Sequence, residues 1–218
     1  MDIVTTENAP TARRAPRRLI LLGALALVMG IAGSIVIGSI GNTPEQARAT
    51  AVDYYLQGYN SSNTPLFSGD STTVGYSGMI RVVSHSWSSS NNSTGTLGTG
   101  SAGTPTMGPL SITKLADNST TQLFSQLAKG TRIATVVLTG VYPLSGGSSY
   151  RGITITLTNV SVTADSLGGS TDRPTETVQF GKYDKISIST IMQNSAGTPQ
   201  SPVSSCYNLS TNTAGTTC

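Results

Sequence analysis

The chain has 218 residues, of which 37% are hydrophobic, 11% charged and 6% aromatic, so it can form one ordinary domain with a core and some appended segments. Gly, Ser, Thr and Asn make up much of the remainder, which favours strands and polar loops and predicts a mostly β protein. Four arginines lie before residue 19, and from residue 51 onward eight Lys or Arg stand against seven Asp or Glu without forming a basic stripe. A nucleic-acid-binding surface needs clustered basic residues, so we expect no nucleic-acid partner.

An uncharged apolar run, LILLGALALVMGIAGSIVIGSI at residues 19–40, directly follows the basic stretch TARRAPRR. About 20 apolar residues span a bilayer, and flanking arginines keep their own side in the cytoplasm. The sequence therefore predicts a basic cytoplasmic region at residues 1–18, a transmembrane or signal-anchor segment at 19–41 and a linker at 42–51. Everything after residue 41 is expected outside the cytoplasmic membrane.

Two processing outcomes are open for this N-terminal segment. Its length favours a retained membrane anchor, because signal peptides have a shorter apolar region. The stretch Ala47-Arg48-Ala49 has the small-x-small form of a cleavage site, however, and cleavage after Ala49 would start the mature chain just before the first strand. We expect an extracytoplasmic protein in both cases, either anchored by its N-terminal helix or secreted after cleavage.

Beyond the linker, short runs of β-branched residues alternate with Gly, Ser, Asn and Thr, the pattern of strands and turns. ITITLT and ISIST alternate strictly, so each has one face towards a core. This number and spacing of strands predicts a small β-barrel or sandwich. The predicted strands are 52–57, 78–87, 109–114, 132–140, 151–158, 160–165, 176–181 and 184–191.

One helix is predicted among these strands, in the stretch DNSTTQLFSQLAKG. Ser119 and Gln122 have the spacing of a capping box, and Gly130 supplies a left-handed stop. The apolar stripe that we expect to pack inward consists of Leu123, Phe124 and Leu127.

Two polar stretches lack the apolar side chains that a core requires. Residues 88–106 are predicted to form a long flexible loop, and residues 192–218 a Ser/Thr/Asn-rich tail. The tail holds the only cysteines, Cys206 and Cys218. Outside the cytoplasm the pair can close a disulfide loop, but chain ends fray, so free or intermolecular thiols remain the alternative.

The stretch GMIRVVSHSW at residues 78–87 holds the only histidine beside the only tryptophan. A hydrolytic triad requires a serine near that histidine, but Ser84 and Ser86 flank His85 on a strand and therefore point to the opposite face. The alternation places Ile80, Val82, Ser84 and Ser86 on one face and Arg81, Val83, His85 and Trp87 on the other. One face should line the barrel and the other should pack against the helix or a neighbouring subunit, and a bulge near the serines would exchange those assignments.

No other motif indicates chemistry. One histidine and two late cysteines cannot form a typical zinc site, and no calcium-loop motif is present. Among the carboxylates, Asp117 is explained by the turn into the helix, and Glu176 and Asp184 by strand ends. We therefore expect no catalytic residue, no metal site and no cofactor.

Taken in order, the segments resemble the haemolysin-coregulated protein (Hcp) family, the tube protein of bacterial type VI secretion. VDYYLQ opens the domain, and LSITKLADNSTTQLFSQLAKG is similar to the family's unit of strand, Thr-Lys, Asp, helix and Gly. RIATVVLTG, YRGITITLTNVSVTADSLGG and PTETVQFGKYDKISIST follow, so the resemblance covers residues 52–191. GMIRVVSHSW resembles a family strand of the form G-x-I-x-V-x-S-x-S-W, represented here by Gly78, Ile80, Val82, Ser84, Ser86 and Trp87.

The resemblance implies a small β-barrel with one packed helix, assembled into homohexameric rings that stack into a tube and carry no active site. It implies a second copy of the chain as the main partner, with secreted cargo and spike or sheath proteins as further partners. The N-terminal segment, the 88–106 loop and the cysteine-bearing tail depart from the family. The leading hypothesis is therefore a non-enzymatic, ring-forming assembly protein outside the cytoplasmic membrane, and the alternative is a monomeric extracytoplasmic binding module on the same barrel.

Overall fold

Most of the described chain is β-strand, with a single helix between the fifth and sixth strands. The computed structural model describes residues 51–91, 103–169 and 171–218. The elements are β1 (Asp53–Tyr59), β2 (Ile80–Ser86), β3 (Ser89–Asn91), β4 (Pro105–Met107), β5 (Leu110–Leu115), α1 (Ser119–Lys129), β6 (Ile133–Pro143), β7 (Ser149–Gly168), β8 (Thr175–Gly181), β9 (Lys185–Thr190), β10 (Val203–Asn208) and β11 (Thr213–Gly215).

Six of the strands close into a barrel. The main sheet has the order β11-β10-β9-β7-β6-β1-β2-β5-β8, and β8 also pairs with β7, which joins the two ends of the six-strand portion. The strands β9, β10 and β11 extend the sheet outward from β7, and β3 and β4 form a separate hairpin. The predicted mostly β barrel with one helix is confirmed.

Strand β7 closes the barrel because it has different partners along its length. Residues 153–158 pair with β9, whereas residues 161–168 pair with β8. Asn159, between these portions, has a positive φ of 52°, a conformation that Asn tolerates better than most residues. The prediction of two strands at 151–158 and 160–165 was therefore wrong: the Thr-Asn step is a local change of backbone within one continuous strand.

A β-bulge divides β2. The register with β5 shifts between Val82 and Ser84, so the inward face changes from even-numbered to odd-numbered residues. Ile80 and Val82 are buried, whereas Ser84 and Ser86 are exposed. The expectation that these four residues share one face was wrong, and the bulge named as its alternative is present.

The helix α1 begins differently from the prediction. The backbone N–H of Ser119 donates to Asp117 Oδ1 at 2.8 Å, and Gln122 Oε1 instead accepts from the backbone of Ser68 at 2.7 Å. No capping box forms, because the side chain of Asp117 accepts the backbone N–H at the start of the helix. The helix ends as predicted, since Gly130 has φ 62° and its N–H donates to the carbonyl of residue 127.

The inward stripe of α1 is narrower than expected. Leu123 is fully buried and Leu127 packs against the core, but the side chain of Phe124 is 63% exposed. Adjacent helical residues are separated by about 100° around the axis, so one of Leu123 and Phe124 must point away from the sheet. Inclusion of Phe124 in the packed face was therefore wrong.

Parts of both polar stretches form strands. The 88–106 stretch contributes β3 and most of β4, and the tail contributes β10 and β11. These strands consist mainly of Ser, Thr, Asn and Gly, and their backbone pairing with neighbouring strands orders them without a hydrophobic pattern. Residues 92–102 lie outside the described residues.

The predicted membrane segment at 19–40 and the proposed cleavage point after Ala49 also lie outside the described residues. In the described ranges, no helix has the length and apolar character needed to cross a membrane.

A single hydrophobic core fills the space between the barrel strands and α1. It includes residues from every barrel strand and one from the helix, which fixes the helix against the sheet. Its members include Leu56, Ile80, Val82, Leu110, Ile112, Leu123, Ile133, Val136, Leu157, Val162, Val178 and Phe180.

Candidate functional site

Residues 78–87 contain β2 and the turn that leads into it. Gly78 has φ 73°, a backbone conformation that costs side-chain-bearing residues about 1–2 kcal/mol. This turn directs Ile80 and Val82 into the core, where both are buried. The glycine at the start of the motif therefore sets the direction of the strand.

His85 lies at the edge of the core against Tyr54, with the two ring centroids 4.5 Å apart. Burial holds the pKa of His85 below its ordinary value, so the neutral imidazole is favoured. In the part of the chain that the structure describes, no serine hydroxyl or carboxylate is hydrogen-bonded to this imidazole. The arrangement is that of an aromatic packing contact.

Trp87 connects three segments through hydrogen bonds. Its indole N–H donates to the hydroxyl of Tyr183 at 2.9 Å, and that hydroxyl donates to the carbonyl of Gly108 at 2.8 Å. Burial raises the pKa of Tyr183, although the bond from Trp87 acts in the opposite direction. The tryptophan of the motif thus fixes the segment before β5 and the turn between β8 and β9.

A buried ionic cluster lies where β5, β8 and the start of α1 meet. The ammonium of Lys114, fully buried, lies 2.8 Å from Glu176 Oε2 and 2.8 Å from Asp117 Oδ1. The hydroxyl of Thr120 accepts from Lys114 at 3.1 Å and donates to Glu176 Oε2 at 2.5 Å. Every member bonds to at least one other, so the cluster joins α1 to the barrel.

Asp117 is held ionised within this cluster. Burial opposes its charge, but hydrogen bonds from Lys114 and Ser119 and the charge of Lys114 outweigh burial and lower the pKa of Asp117. The stability that this provides is present above the ordinary carboxyl pKa and is lost as pH falls through the lowered value.

Asp165 adds a second carboxyl beside Glu176. Asp165 lies opposite Val178 in the pairing of β7 with β8, so it shares an inward face with Glu176, two residues away on β8. Burial and the charge of Glu176 raise the pKa of Asp165. In the described ranges, Asp165 Oδ1 and Glu176 Oε1 are both buried without a hydrogen-bond donor.

The sequence contains a pattern that indicates this cluster. The interpretation of Glu176 as a strand-end residue overlooked that pattern. Leu110, Ile112 and Lys114 alternate along β5, so a lysine occupies an inward position. Glu176, Val178 and Phe180 do the same along β8. Two charges of opposite sign on inward faces predict a buried ion pair once the two strands are known to be neighbours.

The tail is tied to the sheet. Cys206 on β10 and Cys218 are joined by a disulfide, and the tail cysteines thus enclose β11.

The described residues contain no group of three or more His, Cys, Asp or Glu side chains able to hold a metal ion.

A surface cleft of about 390 Å³ lies beside β2. Two ion pairs occur in its lining: Arg81 with Asp53 at 3.1 Å, and Arg173 with Asp70 at 2.5 Å. The apolar residues of this surface cleft are Val52, Val82, Val83 and Leu115. Its combination of apolar side chains and charged edges is typical of a protein contact surface.

Comparison with known protein families identifies one match. The model described as "Type VI secretion system effector, Hcp" matches residues 55–189, more than half of the chain. The chain belongs to the Hcp family. A sequence comparison with curated proteins finds no match.

Solved structures share the Hcp fold. A structure described as a type six secretion system protein is 23% identical, covers 76% of this chain and 100% of its own, and has a TM-score of 0.65. Hcp1 from Salmonella typhimurium is 20% identical with a TM-score of 0.59, covering 76% of this chain and 99% of its own. Hcp1 from the E. coli EAEC 042 pathovar is 18% identical with the same TM-score of 0.59, covering 73% and 99%. At these identities the similarity shows the Hcp fold.

Proposed function

We propose that this chain is a structural subunit that assembles into homohexameric rings, and into tubes by ring stacking, without enzymatic activity. The observation that carries the proposal is the family match over residues 55–189. The Hcp family consists of structural tube proteins of type VI secretion, and it forms homo-oligomeric rings. The secreted cargo and the spike or sheath proteins of such a system are proposed as further partners.

We propose that these rings form outside the cytoplasm. The uncharged run at residues 19–40 after four arginines supports export, because this is the pattern of a membrane-inserting segment. The disulfide between Cys206 and Cys218 supports it independently, because disulfides persist in oxidising compartments and are rare in the cytoplasm. Retention of the N-terminal segment would leave each subunit anchored to the cytoplasmic membrane.

The surface cleft is proposed as part of the contact between subunits. Val83 is 63% exposed there and has the apolar side chain of Leu115 in the same lining. A charge placed at the centre of an interface is desolvated without a partner when the interface forms, which costs several kcal/mol. Val83 therefore offers a sharp test of the ring.

The assembly is tested on the full-length chain purified in mild detergent, by size exclusion with light scattering and by negative-stain microscopy. We expect a six-subunit particle with a central opening, and we expect Val83→Glu to shift it to monomers without changing the circular dichroism spectrum. Phe124→Glu is the matched control, because Phe124 is equally exposed but lies on α1 outside the surface cleft.

The outcomes separate the two proposals. A wild-type chain that stays monomeric at high concentration would overturn ring formation and leave the monomeric binding module as the function. A ring that persists in Val83→Glu but dissociates in Phe124→Glu would keep the ring and reject the surface cleft as its contact.

A further inference from the structure

The carboxyl groups of Asp165 and Glu176 occupy an unusual position for two acids. They lie on adjacent strands at diagonal inward positions, and one oxygen of each, Asp165 Oδ1 and Glu176 Oε1, is buried without a hydrogen-bond partner among the described residues. Two ionised carboxylates are both acceptors, so neither can donate to the other. A hydrogen bond between them requires one of the two to carry a proton.

No donor among the described residues serves these two oxygens. The ammonium of Lys114 has three N–H bonds, and four oxygens already surround it within 3.1 Å: Leu115 O, Asp117 Oδ1, Thr120 Oγ1 and Glu176 Oε2. The hydroxyl of Thr120 is also used, since it donates to Glu176 Oε2. Over the described ranges, Asp165 Oδ1 and Glu176 Oε1 are therefore left without a donor.

The charge balance leads to the same conclusion. The titratable groups that face the pair are Lys114 from β5 and Asp117 from the segment before α1, while α1 itself contributes only the hydroxyl of Thr120. If all the carboxyls were ionised, three negative charges would share one buried ammonium. One shared proton halves the excess negative charge at a site where burial makes such an excess costly.

We propose that Asp165 and Glu176 share one proton above the pH at which exposed carboxyls are ionised, and that this proton holds β7 against β8 and α1 at this end of the barrel. Loss of the proton leaves two carboxylates at neighbouring inward positions of adjacent strands, and these carboxylates repel each other. The consequence is a barrel whose stability decreases as pH rises above the ordinary carboxyl range.

The direction of the pH dependence follows from the raised pKa of Asp165. The pKa of Asp165 is raised, by burial first and by the charge of Glu176 second. A raised carboxyl pKa gives stability that is fully present below the ordinary value of about 4 and is lost as pH rises through the folded-state value. His85 acts in the opposite direction, because its lowered pKa favours the folded state as pH rises through the ordinary histidine value.

The test compares Asp165→Asn with the wild type, using the full-length chain and its thermal unfolding midpoint from pH 5 to pH 10. The amide N–H of an asparagine at this position donates to Glu176 permanently, so its bond does not titrate. We expect the midpoint of Asp165→Asn to rise relative to the wild type as the pH is raised across this range. The contribution of His85 is common to both proteins and cancels in the difference.

Asp172→Asn is the matched control, because Asp172 is exposed on the connection before β8, and we expect its midpoint to follow the wild type at every pH. Parallel wild-type and Asp165→Asn curves would overturn the proposal. If the variant does not fold, infrared spectroscopy of the wild type decides the question. A protonated-carboxyl band that persists above the range in which exposed carboxyls titrate, and disappears as the pH is raised further, supports the shared proton. The absence of such a band overturns it.

Discussion

Lys114 and His85 are both polar residues on barrel strands, and their surroundings determine what each contributes. Lys114 is completely buried and satisfied by four oxygens, so it serves as the centre of an ionic cluster that joins a strand pair to the helix. His85 is half-buried against the ring of Tyr54 and favours its neutral form. The residue that first suggests catalysis is thus a packing residue, whereas Lys114, to which no catalytic motif assigns a role, organises the polar interior.

Leu123 is the residue through which α1 enters the core, and its replacement tests the packing directly. The side chain is fully buried, so Leu123→Ala removes apolar contacts and leaves a cavity that the barrel cannot fill. We expect the free energy of unfolding to fall by about 2–5 kcal/mol, as measured by urea denaturation of the full-length chain.

Phe124→Ala is the control for this measurement. Phe124 is adjacent in sequence but mostly exposed, so its truncation should change the free energy of unfolding by no more than about 0.5 kcal/mol. Equal losses for the two variants would show that α1 packs in a different orientation.

At the scale of elements, the sequence predicted those strands whose side chains alternate between a core and water. The β-branched runs that form β1, β5, β6, β8 and β9 were identified to within a few residues. Strands β10 and β11 were missed because their order comes from backbone pairing and a cross-link rather than from apolar periodicity. The buried cluster was missed for a related reason, since strand neighbours are not visible in a local pattern.

The short strand β11 depends on the disulfide that encloses it. It is only three residues long, and β10 is its one partner in the sheet. A disulfide closing a loop of this size contributes about 3 kcal/mol by restricting the unfolded chain. In Cys206→Ser/Cys218→Ser, we therefore expect amide hydrogen exchange in β11 to accelerate by at least about tenfold, while β6 keeps its protection.

Reduction of the wild type with dithiothreitol supplies the matched experiment. It should reproduce the faster exchange of β11 in the wild type and have no effect on the double variant. Unchanged protection of β11 after complete reduction would show that backbone pairing with β10 is sufficient to hold it.

At the scale of the whole molecule, the Hcp barrel is flanked by two segments that the family match does not cover. The family match covers the barrel and ends at residue 189. Outside it lie the uncharged run with its arginines at one end and the disulfide-closed tail at the other. Both features support the proposal that the chain functions beyond the cytoplasmic membrane, because a subunit held there would keep its tail cysteines oxidised.

The N-terminal segment gives the last prediction, because anchorage and secretion leave different chains in the cell. A 22-residue uncharged run is long enough to remain in the bilayer, so we expect the native protein in the membrane fraction after an alkaline carbonate wash. Mass spectrometry of that protein should find peptides from residues 1–18. A native chain that starts at Thr50 and appears in the soluble extracytoplasmic fraction would contradict the anchor while supporting export. A chain with its N-terminus intact, in the soluble cytoplasmic fraction with reduced cysteines, would contradict export itself.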